Sequence, residues 1–548
     1  MDIPLTDVRA RTNVWDCRAP GAQRFFGMRR AACCVVFALA WSACVLAQSA
    51  GGLRFDITSF VVEGNSLIPQ EEVEARAAPH TGPQRSFDDI KSAAQALQDA
   101  YRERGYEAVR VLIPEQDIRH GVVRLQVIEA RIRHVRIEGN HHFDDADIRD
   151  SVPALREGEA PNVREISANV ALANENPVRQ QRVVFEAAPE PGMIDAVVRV
   201  SDDDPARIGL FLDNSGNPSS GHNRTGIGFM HANVWGADHV LNLQFVTSPT
   251  EHQGVVIFGA GYRAPLYGSN ALIDVYGGQS DVDSGTLQNL FNVAGEGVIV
   301  GGRVTKVLRR LGTYDHKAAL GLEWKAFEND VVLVGTSGTL VPDVTTFPLL
   351  LTYTGHRQAP GSDLGLYLSY AANMPYGDGD ASAEAIAAAR AGASAHFQIV
   401  RAGISYSLAL PKDDILRVAF DGQYTRDALV PGEQFGLGGL NSVRGFYERT
   451  TAYDVGHRLS LEIYGPEFGP QIAPDWRARL LAFIDLGRGE DQPPARLAAD
   501  GLASVGFGGR FARGKRLSLR FDTALVTDGT AGRDKGELRT HFGVAYVF

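Results

Sequence analysis

From residue 206 to the last residue, Phe548, apolar and charged residues alternate in one short segment after another. Around Leu416, Val418, Phe420 and Tyr424 the intervening positions include Arg417, Asp421 and Gln423. The pattern returns as Leu459, Leu461 and Ile463 against Arg458, Ser460 and Glu462, then as Leu517, Leu519 and Phe521 against Arg516, Arg520 and Asp522. Successive side chains of a strand point to opposite faces, so each segment has one apolar and one charged wall. A soluble sandwich would bury the apolar wall. A membrane barrel turns it to lipid and gives the charged wall to a wet lumen. The final run, Phe542, Val544, Tyr546 and Phe548, keeps the period with no tail beyond it and is expected to act as the C-terminal assembly signal of such a barrel.

Sixteen strands can be placed, near 206–214, 223–233, 239–247, 254–262, 270–278, 295–305, 316–326, 346–354, 362–371, 396–408, 415–425, 457–465, 477–485, 501–511, 516–526 and 539–548. Connections after even-numbered strands are mostly short, such as Trp235-Gly236-Ala237-Asp238 and Ala512-Arg513-Gly514-Lys515. Those after odd-numbered strands are mostly longer, reaching 426–456. Short periplasmic turns opposite long extracellular loops are the asymmetry of an outer-membrane barrel, and an even count returns the chain to the periplasm. Strands six to eight are the least defined, because 327–345 has room for another hairpin.

At 548 residues the chain exceeds one small domain. Outside the N-terminus no stretch reaches the roughly 18–20 apolar residues of a membrane helix. The mean hydropathy of −0.13 is compatible with a barrel, since only half of each strand meets lipid. A formal charge of −11 leaves no basic footprint for nucleic acid. Met28-Arg29-Arg30, the apolar run Ala31 to Leu46 and Val45-Leu46-Ala47 read as a signal peptide over 1–47, cut before Gln48. Residues 1–27 look like an upstream extension, with Met28 as an alternative start. Cys17, Cys33, Cys34 and Cys44 all precede the cut, so the expected mature chain has no disulfide framework. Trp41-Ser42-Ala43 before Cys44 is a poor lipobox.

Between signal and barrel lies a repeat. Phe60-Val61-Val62-Glu63-Gly64-Asn65 returns 75 residues later as Val135-Arg136-Ile137-Glu138-Gly139-Asn140. Two copies imply two small modules, since a solenoid needs three or more units. Each reads strand, Gly-Asn turn, two helices, two strands. In the first, Phe87, Ile90, Ala94, Leu97 and Tyr101 fall at helical spacing and Gly105 ends the run, before strands 108–113 and 121–129. In the second, helices near 144–152 and 163–175 precede strands near 181–187 and 193–200. Asp202-Asp203-Asp204-Pro205 reads as the linker into the barrel.

The longest loop carries Gly436-Leu437-Gly438-Gly439 and then Val443-Arg444-Gly445-Phe446. Two modules followed by a barrel with this motif in its sixth long loop resemble the two-partner-secretion translocators of hemolysin-activator type, the TpsB proteins. That family is a branch of the superfamily that also holds the BamA-type assembly factors. Ala171 to Pro177, Asp213-Asn214-Ser215-Gly216 and Asp238 to Asn242 carry the resemblance further. It implies POTRA modules over 53–130 and 131–202 in the periplasm and a transmembrane barrel over 206–548 in the outer membrane. It also implies a partner: an unfolded, TpsA-like secreted exoprotein whose N-terminal secretion domain binds the POTRA modules before the chain threads the lumen. Outer-membrane lipid and the barrel assembly machinery are the other expected partners, and no cofactor or catalysis is implied. Some members place a plug helix before the first module. Here the first strand starts near Arg54, so such a helix is expected to be absent and closure to rest on the loop.

The family's loop arginine contacts an aspartate in a Phe-x-Asp-x-Gly stretch, here Phe483-Ile484-Asp485-Leu486-Gly487. Alternation sends Leu480, Ala482 and Ile484 to lipid and turns Arg479, Leu481, Phe483 and Asp485 inward. Asp485 is thus the expected partner of Arg444, with Glu462 as second choice and a solvated surface arginine as the plain alternative. Other chemistry finds little support. There is no Gly-x-Ser-x-Gly elbow, and Gly259-Ala260-Gly261 and Gly506 to Gly509 sit inside strands with no helix to cradle phosphate. His141-His142 lacks metal-ligand spacing, and Arg417, Asp421, Glu462, Arg477 and Arg479 read as wall solvation rather than a hydrolase. The competing functions are an outer-membrane insertase, which would carry more modules, and a simple porin, which would leave 53–200 unexplained.

Overall fold

The computed structural model describes residues 54–548 except 119, 219, 251–254, 282–284, 288–290, 294–296, 329–341, 378, 495–499 and 530–533. The signal peptide, the start at Met28 and the question of a plug helix lie outside the described residues. Among the described residues no helix is long and apolar enough to cross a membrane. Strands do so instead.

Sixteen antiparallel strands close into a barrel, from Ala206–Asp213 through Leu538–Val547, which pairs back onto the first. The eighth is interrupted, with Val344–Thr346 running into Pro348–Ala359. Most of 327–345, where another hairpin was conceivable, lies outside the described residues. The closing pair joins Gly543 to Asp213 and Val547 to Gly209. Closure abolishes the sheet edge, which is what a wall in lipid requires, since no water there can satisfy unpaired backbone groups. Ile208, Leu210, Val275, Val304, Leu320, Leu351, Leu368, Ile404, Leu480 and Phe507 are all exposed on the outside. An apolar belt of this extent is what a lipid-facing surface requires. In the thirteenth strand, Trp476–Glu490, Leu480, Ala482, Ile484 and Leu486 are exposed while Leu481, Phe483 and Asp485 are buried.

The first module pairs Ser59–Glu63 in parallel with Val122–Glu129, with Val109–Leu112 antiparallel on the other side. Its helix Phe87–Glu103 starts at a capping box between Ser86 and Asp89 and buries Ile90, Ala93 and Ala94 against Val123 and Leu125. A two-stranded ribbon, Arg54–Ile57 with Gly82–Ser86, was not anticipated. The second module repeats the design with Arg131–Glu138 parallel to Met193–Asp202 and Arg179–Ala187 antiparallel.

The repeated Gly-Asn has one physical cause in both modules. Gly64 and Gly139 share φ of +87°, and a Cβ there would meet the carbonyl oxygen of Val127 at 2.4 Å or of Val200 at 2.5 Å. Asn65 and Asn140 then donate to the carbonyls of Ile68 and Phe143, both at 2.9 Å. A carboxylate from the last strand accepts the turn's N–H groups: Glu129 from Ser66 and Leu67, Asp202 from His141, His142 and Phe143. His141 and His142 are exposed residues of this turn.

Asp202 is therefore part of a strand and a cap, not of a linker. The second module also shares its core with the barrel: Ile132, Phe143, Ile148, Val178 and Val198 pack with Ala232 and Val240 of the first periplasmic hairpin. Around that core the fully buried Arg179 pairs with Asp238, which also accepts from Tyr267 and, at 2.6 Å, from Asn176. Asn176 donates in addition to the Ala232 carbonyl at 2.7 Å. The expected short linker is thus a docked junction, because apolar residues at the barrel's periplasmic rim have no lipid to face and are covered by the module.

Candidate functional site

The site is the sixth long loop, 426–454, between the strands Ile415–Thr425 and Val455–Tyr464. Its two legs pair as a ribbon, Phe435–Leu437 with Thr451–Tyr453, and its tip is folded into the lumen. Glycines permit this on both sides of the contact. In the loop, Gly438, Gly439 and Gly445 adopt φ of +100°, +112° and +98°. On the wall, a Cβ at Gly487 would lie 2.9 Å from the Leu437 and Val443 methyls, and one at Gly489 2.1 Å from the Tyr453 ring. Inward-facing glycines thus cut the groove that seats the loop's apolar side chains. Leu437, Val443, Phe446 and Tyr453 form one buried cluster with Leu502 and Val526 of the wall.

Arg444, 3% exposed, is fastened among wall carboxylates. Its Nε and NH2 donate to the two oxygens of Asp485 at 2.6 and 2.8 Å, a bidentate pair, and its backbone N–H donates to Asp485 at 3.1 Å. NH1 lies 2.8 Å from Glu462 and 3.4 Å from Asp522. The guanidinium carbon sits 3.4 Å from the centroid of the Phe483 ring, a cation–π stack. Ser460 donates to Asp485 at 2.6 Å, and the N–H of Gly445 donates to the His541 ring at 2.9 Å. Val443 and Phe446 flank the arginine in the apolar cluster.

The structure therefore brings Arg444 together with both Asp485 and Glu462. Sequence reasoning missed Asp522, Ser460, His541 and the stacking role of Phe483. Asp522 carried a signal, since it stands on the charged wall of the strand Leu517–Asp528. Alternation says which side chains enter the lumen but not which of them meet there. The wall balances much of its own charge: Arg510 and Arg520 reach Asp522 at 2.9 and 3.2 Å, and Arg417 reaches Glu462 at 3.5 Å. Asp421 pairs with Arg458 and Arg479 with Asp413, so these charges, expected to solvate the wall, are engaged in ion pairs. Arg520 further donates to Asn441 and to the Leu440 carbonyl, holding the tip from a second strand. Phe542 and Val544 of the last strand are exposed, as is Phe548 just after it, and Tyr546 stacks edge-on against Phe548 with centroids 4.8 Å apart.

Comparison with known proteins agrees with this architecture. Residues 55–130 match the POTRA domain of ShlB type, and 192–511 match the haemolysin secretion/activation protein ShlB/FhaC/HecB. The chain is 27% identical over 459 residues to the outer membrane transporter CdiB of Escherichia coli, covering 80% of this chain and 73% of that one. It is 20% identical over 488 residues to the heme/hemopexin transporter protein HuxB of Haemophilus influenzae, covering 84% and 82%. The solved CdiB structure from Escherichia coli superposes with a TM-score of 0.72 at 21% identity, covering 92% of each chain, a likeness of fold. The barrel, the lumenal loop and the family match lead to one conclusion: the chain belongs to the ShlB/FhaC/HecB family of haemolysin secretion/activation proteins.

Proposed function

We propose that this chain recognises an unfolded exoprotein in the periplasm through its POTRA modules and passes it through the barrel to the cell surface, with loop 426–454 as the resting plug. The reading rests above all on one observation, the loop tip seated in wall glycines with Arg444 clasped by Asp485, Glu462 and Asp522. A purely structural loop would have no need to desolvate an arginine beside Glu462 and Asp522, which already have cations of their own. Reversible charge pairs are suited to a plug that must leave and return, because a passing polar chain and water can replace each contact in turn. The client binds first through its N-terminal secretion domain. The sheet edges of the modules offer strand addition to an extended segment, giving affinity through main-chain hydrogen bonds. The exposed Phe542, Val544 and Phe548 serve the barrel assembly machinery during insertion, and the apolar belt then meets lipid.

Deleting the chain from its host should remove one large exoprotein from the medium while leaving the other outer-membrane barrels at normal abundance. Loss of many barrels together would instead identify an insertase. An unchanged medium with reduced uptake of small solutes would identify a porin.

A further inference from the structure

The tip is not the loop's only charged anchor. At its outward leg a short helical turn, Pro431–Glu433, carries Glu433, 2% exposed, between two wall cations. Lys325 reaches its carboxylate at 2.9 Å and Arg401 at 3.0 Å. Lys325 is itself steadied by Glu323 at 3.1 Å, which accepts from Tyr276 at 2.7 Å. Gln423 ties both legs of the loop, donating to the carbonyls of Glu433 at 3.0 Å and Asp454 at 3.1 Å, while accepting from Arg401 at 2.7 Å. The turn lies flat on the wall, since a Cβ at Gly432 would sit 2.1 Å from the Phe327 ring.

Two features separate this clasp from the tip. Its polarity is reversed: the tip offers a cation to wall carboxylates, whereas the stem offers a carboxylate to wall cations. Its position also differs. Lys325 and Arg401 belong to the seventh and tenth strands, Tyr314–Phe327 and Gln398–Ala409, whereas Glu462, Asp485 and Asp522 belong to the twelfth, thirteenth and fifteenth. The loop is therefore a strap fixed at two separate stretches of the wall.

We propose that Glu433, held by Lys325 and Arg401, is a second closure of the pore, independent of Arg444, and that opening requires release at both ends. This rests on the reading of loop 426–454 as the resting plug. A strap freed only at Arg444 keeps its stem on the wall, because Lys325 and Arg401 still hold Glu433. A strap freed only at Glu433 keeps its tip in the lumen. Buried carboxylates do not stay charged without partners, so each end has one strongly preferred seat.

The test is conductance of the purified full-length protein in planar bilayers, comparing wild type, Glu433→Gln, Arg444→Ala and the double variant, each checked for heat-modifiable mobility. Each single variant should show brief or partial openings, and the double variant should raise the open fraction about tenfold or more above the sum of the singles, the effect of losing roughly one decade of closing equilibrium. Equal conductance of Arg444→Ala and the double variant would overturn the second closure. Wild-type conductance from Arg444→Ala with a rise from Glu433→Gln would retain the stem clasp and discard the tip as a plug. Should Glu433→Gln fail to assemble, Arg401→Gln removes one of the two cations and leaves Lys325. It should then raise the open fraction in the same direction, and wild-type behaviour would refute the proposal.

Discussion

Replacing Arg444 by alanine removes the bidentate bonds to Asp485, the contacts to Glu462 and Asp522, and the stack on Phe483. The three carboxylates are not left in the same condition. Glu462 keeps Arg417 and Tyr464, and Asp522 keeps Arg510 and Arg520. Asp485, 1% exposed, keeps only Ser460 and the residue-444 N–H among its charged and polar contacts described above. Breaking a desolvated pair from one side costs about 3–5 kcal/mol, and water entering the space left by the guanidinium brings this toward ~2–3 kcal/mol. Asp485→Ala is the milder change, because Arg444 still faces Glu462 and Asp522. A lost hydrogen bond to a charged group costs about 1.5–3 kcal/mol. Glu462→Ala should be milder again. The cost falls on loop docking, not on the wall, so all three variants should remain heat-modifiable barrels. The assay is exoprotein in the medium against barrel in the membrane, together with conductance, and the expected order of effect is Arg444→Ala, then Asp485→Ala, then Glu462→Ala. Equal effects, or normal secretion from Arg444→Ala, would refute the reasoning. A swap of the two charges is a natural rescue to try, yet an aspartate at 444 would meet Glu462 and Asp522, so Arg444→Asp with Asp485→Arg should not restore secretion.

Removing residues 54–129 should abolish secretion and leave a normally assembled barrel, whereas removing 131–202 should lower barrel yield, because Ala232 and Val240 lose their cover. Both effects are read from membrane fractions on unheated gels. Arg179→Ala leaves Asp238 buried with Asn176 and Tyr267 only, a local loss of about 3–5 kcal/mol, and should make the second module sensitive to protease in otherwise intact membranes. Unchanged proteolysis would remove that pair from the junction. N-terminal sequencing of the membrane protein should begin at Gln48, and retention of residues 30–47 would contradict cleavage there.

Much of the fold is legible in the sequence because a barrel strand obeys one rule, a period of two, over its whole length. The sixteen segments could be placed from that rule, with ends displaced by a few residues where strands such as Trp476–Glu490 run on past the alternating segment that marks them. Short elements without a period escaped, among them the loop helix Ala383–Ala389 and the ribbon Arg54–Ile57 with Gly82–Ser86. The junction escaped for a different reason. Ala232 and Val240 look like any alternating barrel residues, and nothing local tells that a module rather than lipid covers them. At the site, the same alternation turns Asp485, Glu462 and Asp522 inward without ranking them. Glu433 stands in a Pro-Gly turn that reads as solvated loop, and its seat depends on Lys325, 108 residues away.

The account's central claim is passage through the lumen past a displaced loop. It is tested most directly with a photoactivatable phenylalanine analogue placed at Arg417, on the charged inner wall, or at Leu351, on the exposed apolar face, in cells actively exporting the exoprotein that disappears when the chain is deleted. Illumination should link the exoprotein to position 417 and not to position 351. Adducts at 351, or none at 417 while secretion proceeds, would contradict it.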